Sequence, residues 1–152
     1  MNCPLCSSDK TSKHFNRNNT DYFLCSNCDL VFMDHKKHMN DEEKKLRYYK
    51  HKNNISDLGY KSFLMELAVP SFKLIDKDKK CLDYGCGPTK AMEQIFRDNG
   101  FEMYSYDPCF FPEIEKEEYN LITCNEVIEH FSNPKEELKK LFKLIKKDGF
   151  AV

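Results

Sequence analysis

Apolar residues are sparse and weakly periodic over the first half of this chain, whereas from about residue 79 short apolar runs alternate with amphipathic stretches. The second pattern is that of an α/β unit built on a parallel sheet. Lys80-Cys81-Leu82-Asp83-Tyr84 reads as a short strand that ends at Gly85-Cys86-Gly87. The helix that follows puts Ala91, Met92, Ile95 and Phe96 on one face, and Gly100 is its stop. Residues 101–106 read as a second strand, ending at Asp107-Pro108, and residues 119–124 as a third. Ser132-Asn133-Pro134 predicts a helix start, a capping side chain ahead of a first-turn proline. Leu138, Leu141, Phe142 and Ile145 form the buried stripe of that helix, Gly149 ends it, and Phe150-Ala151-Val152 opens a further strand.

Upstream, residues 59–75 carry Phe63, Leu64, Leu67, Ala68, Phe72 and Ile75 close to a helical period, with Pro70 expected to kink or divide the helix. Residues 41–50 are polar and charged, as in an exposed helix. Residues 1–35 are polar apart from two apolar strand pieces, Tyr22-Phe23-Leu24 and Leu30-Val31-Phe32. The pattern divides the chain into three parts: 1–35, a helical linker or cap over 36–78, and an α/β part over 79–152.

Composition narrows the class. The 152 residues are 40% hydrophobic and 13% aromatic, enough for a real core in one ordinary domain or one small module plus part of a larger one. A net charge of -1 gives no electrostatic argument for a nucleic-acid partner. No apolar run approaches the ~20 residues that span a bilayer, and the first residues, Met1-Asn2-Cys3-Pro4, lack a charged-then-apolar leader. A reducing cytoplasm is therefore the expected location. There, the 8 cysteines read as metal ligands or buried thiols rather than as disulfides.

Cys3-Pro4-Leu5-Cys6 and Cys25-Ser26-Asn27-Cys28 form two knuckles whose paired thiolates can turn toward one point. Together they offer the four soft ligands of a tetrahedral zinc ribbon. A segment this small cannot bury enough surface to fold alone, so the metal supplies the missing stability. With every coordination position filled by protein, the expected role of the zinc is structural. Two copies at ribbon spacing disfavour a redox reading, and His14, His35 and His38 are unnecessary as substitute ligands.

The glycines at 85 and 87 let a ligand lie close to the backbone. The helix behind them offers free amides and the positive end of its dipole to an anionic group. Asp83 stands at the carboxyl end of its strand, where open α/β sheets bind ligands, and could accept from an ammonium group. Asp107, ending the next strand, can take both hydroxyls of a ribose. The combination points to a nucleoside-type cofactor. NAD is disfavoured because Lys90 occupies the third glycine position of the dinucleotide fingerprint and Pro88 the start of the helix.

Residues 81–88, then Tyr106-Asp107-Pro108, then residues 119–131, which end in Asn125-Glu126-Val127-Ile128-Glu129-His130-Phe131, resemble in order and spacing the successive motifs of class I S-adenosylmethionine-dependent methyltransferases. The cysteine knuckles resemble the zinc ribbon that precedes this domain in one branch of that family. The resemblance implies a Rossmann-like sheet, with Asp83, Gly85, Cys86 and Gly87 against the amino-acid end of the cofactor. It implies Asp107 and Pro108 at the ribose, and Asn125 and Glu126 beside the transferring methyl group. Thr89 stands where many relatives carry a further glycine. Glu126 and His130 are the candidate general bases. Tyr49, His51 and Tyr60 are candidate pocket covers. Glu126, Glu129 and His130 could together hold a divalent ion, but a simple turn into the next helix is the preferred reading of that stretch.

The resemblance also implies about seven strands, of which this sequence presents at most four, so the chain is expected to stop before the later strands that build much of the acceptor site. The expected function is methyl transfer to an unidentified small or macromolecular acceptor, with no membrane partner. The alternatives are a zinc-ribbon binding module with a degenerate, non-catalytic cofactor domain and an NAD-dependent oxidoreductase.

Overall fold

The computed structural model of the chain describes residues 1–50, 54–116 and 118–152. Strands β1 (Thr11–Arg17), β2 (Thr20–Cys25) and β3 (Val31–Met33) form an antiparallel sheet at the N-terminus. A 3-10 turn, His35–Lys37, leads to helices α1 (Asp41–Lys50) and α2 (Leu58–Ser71). Then come β4 (Lys80–Tyr84), α3 (Ala91–Asp98), β5 (Glu102–Tyr106), β6 (Tyr119–Thr123), a 3-10 turn at Ile128–His130, α4 (Pro134–Lys143) and β7 (Ile145–Ala151). The last four strands make a parallel sheet in the order β5-β4-β6-β7, a Rossmann-like arrangement.

Both faces of this sheet are covered, as βα crossovers require. One face packs Cys81, Met103 and Leu121 against Leu64 and Ala68 of α2 and Ala91, Met92, Ile95 and Phe96 of α3. The other packs Leu82, Tyr84, Tyr106 and Ile122 against Leu141 of α4. The chain turns to one side of β4 to build β5 and to the other to build β6, so the strand order reverses between β4 and β6. That reversal opens a crevice at the carboxyl ends of the two strands. Side chains alternate along a strand, so Asp83 shares the face of Cys81, Ser105 that of Met103, and Thr123 that of Leu121. These three polar residues end the apolar rows on one face of the crevice, and all three are buried.

Several sequence expectations need correction. β1 lies in the stretch that had suggested no strand, because six of its seven residues are exposed and no apolar alternation marks it. Hydrogen bonding to β2 along the register Thr11↔Cys25 to Arg17↔Thr20 holds it instead. Helix α2 stops at Ser71, one residue after Pro70, short of the expected residue 75. Helix α4 stops at Lys143, so Ile145 opens β7 rather than closing the helical stripe, and Gly149 lies inside β7. Phe142 is exposed, and Asn133 makes no side-chain cap. Among the described residues, no helix is long and apolar enough to cross a membrane.

Candidate functional site

Two separate sets of chemically capable residues emerge. The first is the thiol cluster. The sulfur atoms of Cys3, Cys6, Cys25 and Cys28 all lie within 4.8 Å of one another. Cys3 Sγ is 3.6 Å from Cys28 Sγ, and Cys6 Sγ is 3.6 Å from Cys25 Sγ. Four sulfurs at zinc-ligand distance on a tetrahedron stand about 3.8 Å apart, so the cluster has the size a zinc ion needs.

The two knuckles are built alike. Cys3 N donates to Ser8 O and Ser7 N to Cys3 O; Cys25 N donates to Leu30 O and Asp29 N to Cys25 O. Each turn needs a left-handed residue after its second cysteine, supplied by Ser7 (φ 63) and Asp29 (φ 58). The Ser8 amide, with help from Asn27, draws the Cys6 thiol down to about 6. The Leu30 amide acts in the same direction on Cys28, but burial and the neighbouring sulfurs override it and push that thiol up to about 12. The cluster thus resists carrying four negative charges unless a cation shares them.

The second set lies at the carboxyl edge of the parallel sheet. Asp83 on β4 is in register with Thr123 on β6, whose Oγ1 donates to Asp83 Oδ1 over 3.0 Å. Asp83 Oδ2 has no hydrogen-bond donor among the described residues; the residue is 5% exposed, and this oxygen keeps a little contact with solvent. Burial pushes its carboxyl up to about 7; Thr123 opposes the rise, and the carboxylates of Glu93 and Asp107 add to it. Among the described residues, no cation stands beside this acid.

The turn after β4 is left-handed at Gly85 (φ 89), Gly87 (φ 62) and Lys90 (φ 50). A Cβ on Gly85 would stand 2.5 Å from Val127 Cγ2, so the turn and the segment after β6 are in close contact there. A Cβ on Gly87 would meet nothing within 4 Å, so this part of the turn faces open space.

Asp107 is buried beside the same turn. Its Oδ2 accepts from Gly87 N (3.1 Å), and its Oδ1 from Cys109 N (2.8 Å) and Phe110 N (3.2 Å). The glycine turn and the second acidic residue therefore meet directly. Oδ1 is fully used by the loop, while Oδ2 keeps one lone pair. Pro108, next to it, is exposed. Lys90, in the third glycine position, extends over the Phe111 ring at 3.9 Å from its centroid.

After β6, Asn125 is half-buried and Glu126 is exposed with a left-handed backbone (φ 55). Glu129 and His130 are exposed in the 3-10 turn. Among the described residues, the four cysteines are the one group of three or more His, Cys, Asp and Glu side chains close enough to hold a metal.

Two tyrosines, from α1 and α2, approach this edge. Tyr60 on α2 is half-buried, and its hydroxyl is held high by burial and by Asp83, with Thr89 as a hydrogen-bond partner. Tyr48 on α1 is held high by burial, then by Asp107 and Cys109, and its ring stands edge-on to Phe110. The sequence had singled out Tyr49, which is 68% exposed and also meets the Phe110 ring. Tyr48 lies one position away, and helical phase in a helix whose one aliphatic residue is Leu46 is too weak to choose between them. His51 lies outside the described residues. Cys86 and Cys124, at the same edge, are both pushed up, chiefly by burial and then by Asp83, Cys124 to about 12. Both therefore hold their protons more tightly than an exposed cysteine does.

Comparison with known proteins adds one decisive match. Residues 49–152 match the family described as "Methyltransferase domain". No curated protein matches the chain. A solved structure of coclaurine N-methyltransferase, bound to N-methylheliamine and SAH, is similar over 68% of this chain at 21% identity and a TM-score of 0.43. This chain spans 38% of the length of that protein.

Proposed function

The chain belongs to the methyltransferase-domain family, and from that premise we propose that it binds S-adenosylmethionine at the carboxyl edge of its parallel sheet and serves methyl transfer to an acceptor. The observation that carries this reading is the buried Asp83 carboxyl, with one oxygen open and, among the described residues, no cation beside it. The ammonium group of the cofactor supplies the missing charge. Gly85, Cys86 and Gly87 leave room along the turn for the amino-acid end, because the space next to Gly87 is empty. Asp107 Oδ2, with one lone pair left, accepts from a ribose hydroxyl, and Pro108 borders the ribose. Asn125 and Glu126 line the crevice beyond β6, and Tyr60 covers its α2 side.

When bound, the sulfonium supplies an electrophilic methyl group. The protein's part is to hold an acceptor in line with the bond that breaks. Where the acceptor must lose a proton, Glu126 and His130 are the nearest candidate bases after β6, both exposed and able to exchange that proton with solvent.

We further propose that Cys3, Cys6, Cys25 and Cys28 hold a structural zinc ion. Support comes from the sulfur spacing and from the poverty of the surrounding core: within residues 1–38, Cys3 and Cys25 are the buried apolar residues.

A second reading, a zinc-ribbon binding module with a non-catalytic cofactor domain, draws on Asp107, whose oxygens already hold three backbone amides. Titration calorimetry separates the two. Saturable binding of S-adenosylmethionine, with thermal stabilisation by it and not by NADH, supports the first. Heat changes indistinguishable from dilution support the second.

A further inference from the structure

The thiol cluster has a pseudo-twofold axis that its side chains break at one position. The axis exchanges Cys3 with Cys25, Cys6 with Cys28, Ser7 with Asp29 and Ser8 with Leu30, as the paired backbone bonds and the two equal sulfur distances require. It also exchanges Leu5 with Asn27. Asn27 Nδ2 lies 3.5 Å from Cys6 Sγ and donates to it across the cluster. Its symmetry mate, Leu5, stands in the corresponding place for Cys28 and has nothing to donate.

From this asymmetry we infer that Asn27 is a positioning residue for the bound metal: its amide anchors Cys6 as the most firmly held thiolate, and Cys28, without an equivalent donor, is the ligand at which the site opens. The inference rests on the zinc reading above. A donor to a thiolate spreads the sulfur's negative charge and fixes its lone-pair direction, and partners of this kind commonly matter 10–100-fold (approximately) for metal affinity. Asn27 is exposed, so the lower end of that range applies.

A competing role for Asn27 is to shape the second knuckle as a turn former. Asp serves that role as well as Asn, but it presents an acceptor where Asn presents a donor. Asn27→Asp therefore separates the two roles. The test uses the full chain under reducing conditions, loaded with Zn2+ for release into a chromogenic chelator and with Co2+ for spectroscopy. Asn27→Ala, which removes the donor, is expected to speed zinc release about tenfold, and Asn27→Asp, which turns an acceptor toward the thiolate, by somewhat more. In both, the sulfur-to-cobalt charge-transfer band moves to lower energy. Leu5→Asn restores the missing donor and is expected to slow release about threefold.

Wild-type release from Asn27→Asp, or an unshifted cobalt band, overturns the inference. Should Asn27→Asp hold no metal at all, Leu5→Asn decides: slower release supports the inference and unchanged release defeats it. If the wild-type chain takes up no cobalt into a thiolate site, the zinc reading itself fails, which is a separate result.

Discussion

On the proposed reading, Asp83 is completed by a bound cation. Without a cation its carboxyl is buried, shares one hydrogen bond with Thr123, and is pushed up to about 7. An acid whose folded value is raised binds a proton in the native state that the unfolded chain has already lost, so its contribution to stability is full below about pH 4 and falls away as pH rises to about 7. Asp83→Asn keeps an acceptor for Thr123 and removes the charge. Thermal melts of the ligand-free variant should be flatter between pH 4 and 7 and show a gain on the order of 2–4 kcal/mol at pH 8. The same variant should lose S-adenosylmethionine binding by calorimetry. In the wild type, affinity for that cation should strengthen from pH 5.5 to 7, as the carboxyl ionises. A variant that is no more stable at pH 8 and still binds would show that Asp83 is an ordinary core acid. The two glycines make a second contrast. Gly85→Ala drives a Cβ into Val127 at a left-handed position and should cost about 2–4 kcal/mol of stability. Gly87→Ala meets no atom; it should cost about 1 kcal/mol yet weaken cofactor binding at least tenfold, a larger loss of binding than of fold.

At the scale of elements, the two knuckles carry a strain that the sequence does not relieve. Ser7 and Asp29 sit at φ 63 and 58, where a glycine is at ease. Asp tolerates this region better than Ser. Ser7→Gly should therefore stabilise the zinc-loaded chain by about 0.5–1 kcal/mol, and Asp29→Gly by less. A lower melting temperature in Ser7→Gly would mean that the exposed bond from Lys135 Nζ to Ser7 Oγ outweighs the backbone strain. The elements also show what was legible beforehand. β4, α3 and β5 could be read because their apolar positions follow strand and helix periods and because Gly85 and Gly100 punctuate them, both at positive φ. β1 could not be read, since hydrogen bonds and the cysteine cluster hold it rather than buried side chains. The end of α4 was misplaced because Ile145 continues the helical spacing although the chain has already entered β7. Asp83, Asp107 and the four cysteines were legible as residue types at motif spacing. The capture of Asp107 by Cys109 and Phe110 was not, because it depends on how the loop folds back from Asp107 to Phe111.

With zinc bound as proposed, the molecule has two sources of stability, and among the described residues no strand of the N-terminal sheet makes more than marginal contact with an element of the α/β part. The α/β part has apolar clusters on both faces of its sheet. The N-terminal sheet buries little beyond Cys3 and Cys25. A direct link between them is the exposed Lys135–Ser7 bond, at 3.0 Å. Exposed bonds of this kind contribute about 1 kcal/mol or less. If the four cysteines hold zinc as proposed, the free energy of metal binding is folding energy for the N-terminal sheet and almost irrelevant to the rest. Two-state behaviour is not expected of such a chain. Removing the metal with a chelator under reducing conditions should collapse hydrogen-exchange protection in β1, β2 and β3 while β4, β5 and β6 keep theirs. The midpoint of the remaining thermal transition should move by no more than about 4 °C, because a link of about 1 kcal/mol or less shifts the midpoint of a domain of this size by roughly that much at most. Limited proteolysis of the metal-free chain should cut within residues 1–38 and leave a resistant α/β fragment that binds S-adenosylmethionine as the loaded chain does. Simultaneous loss of protection in both sheets would mean that the ribbon is part of the cofactor domain's own core, and the separation of the two sources of stability would then be wrong.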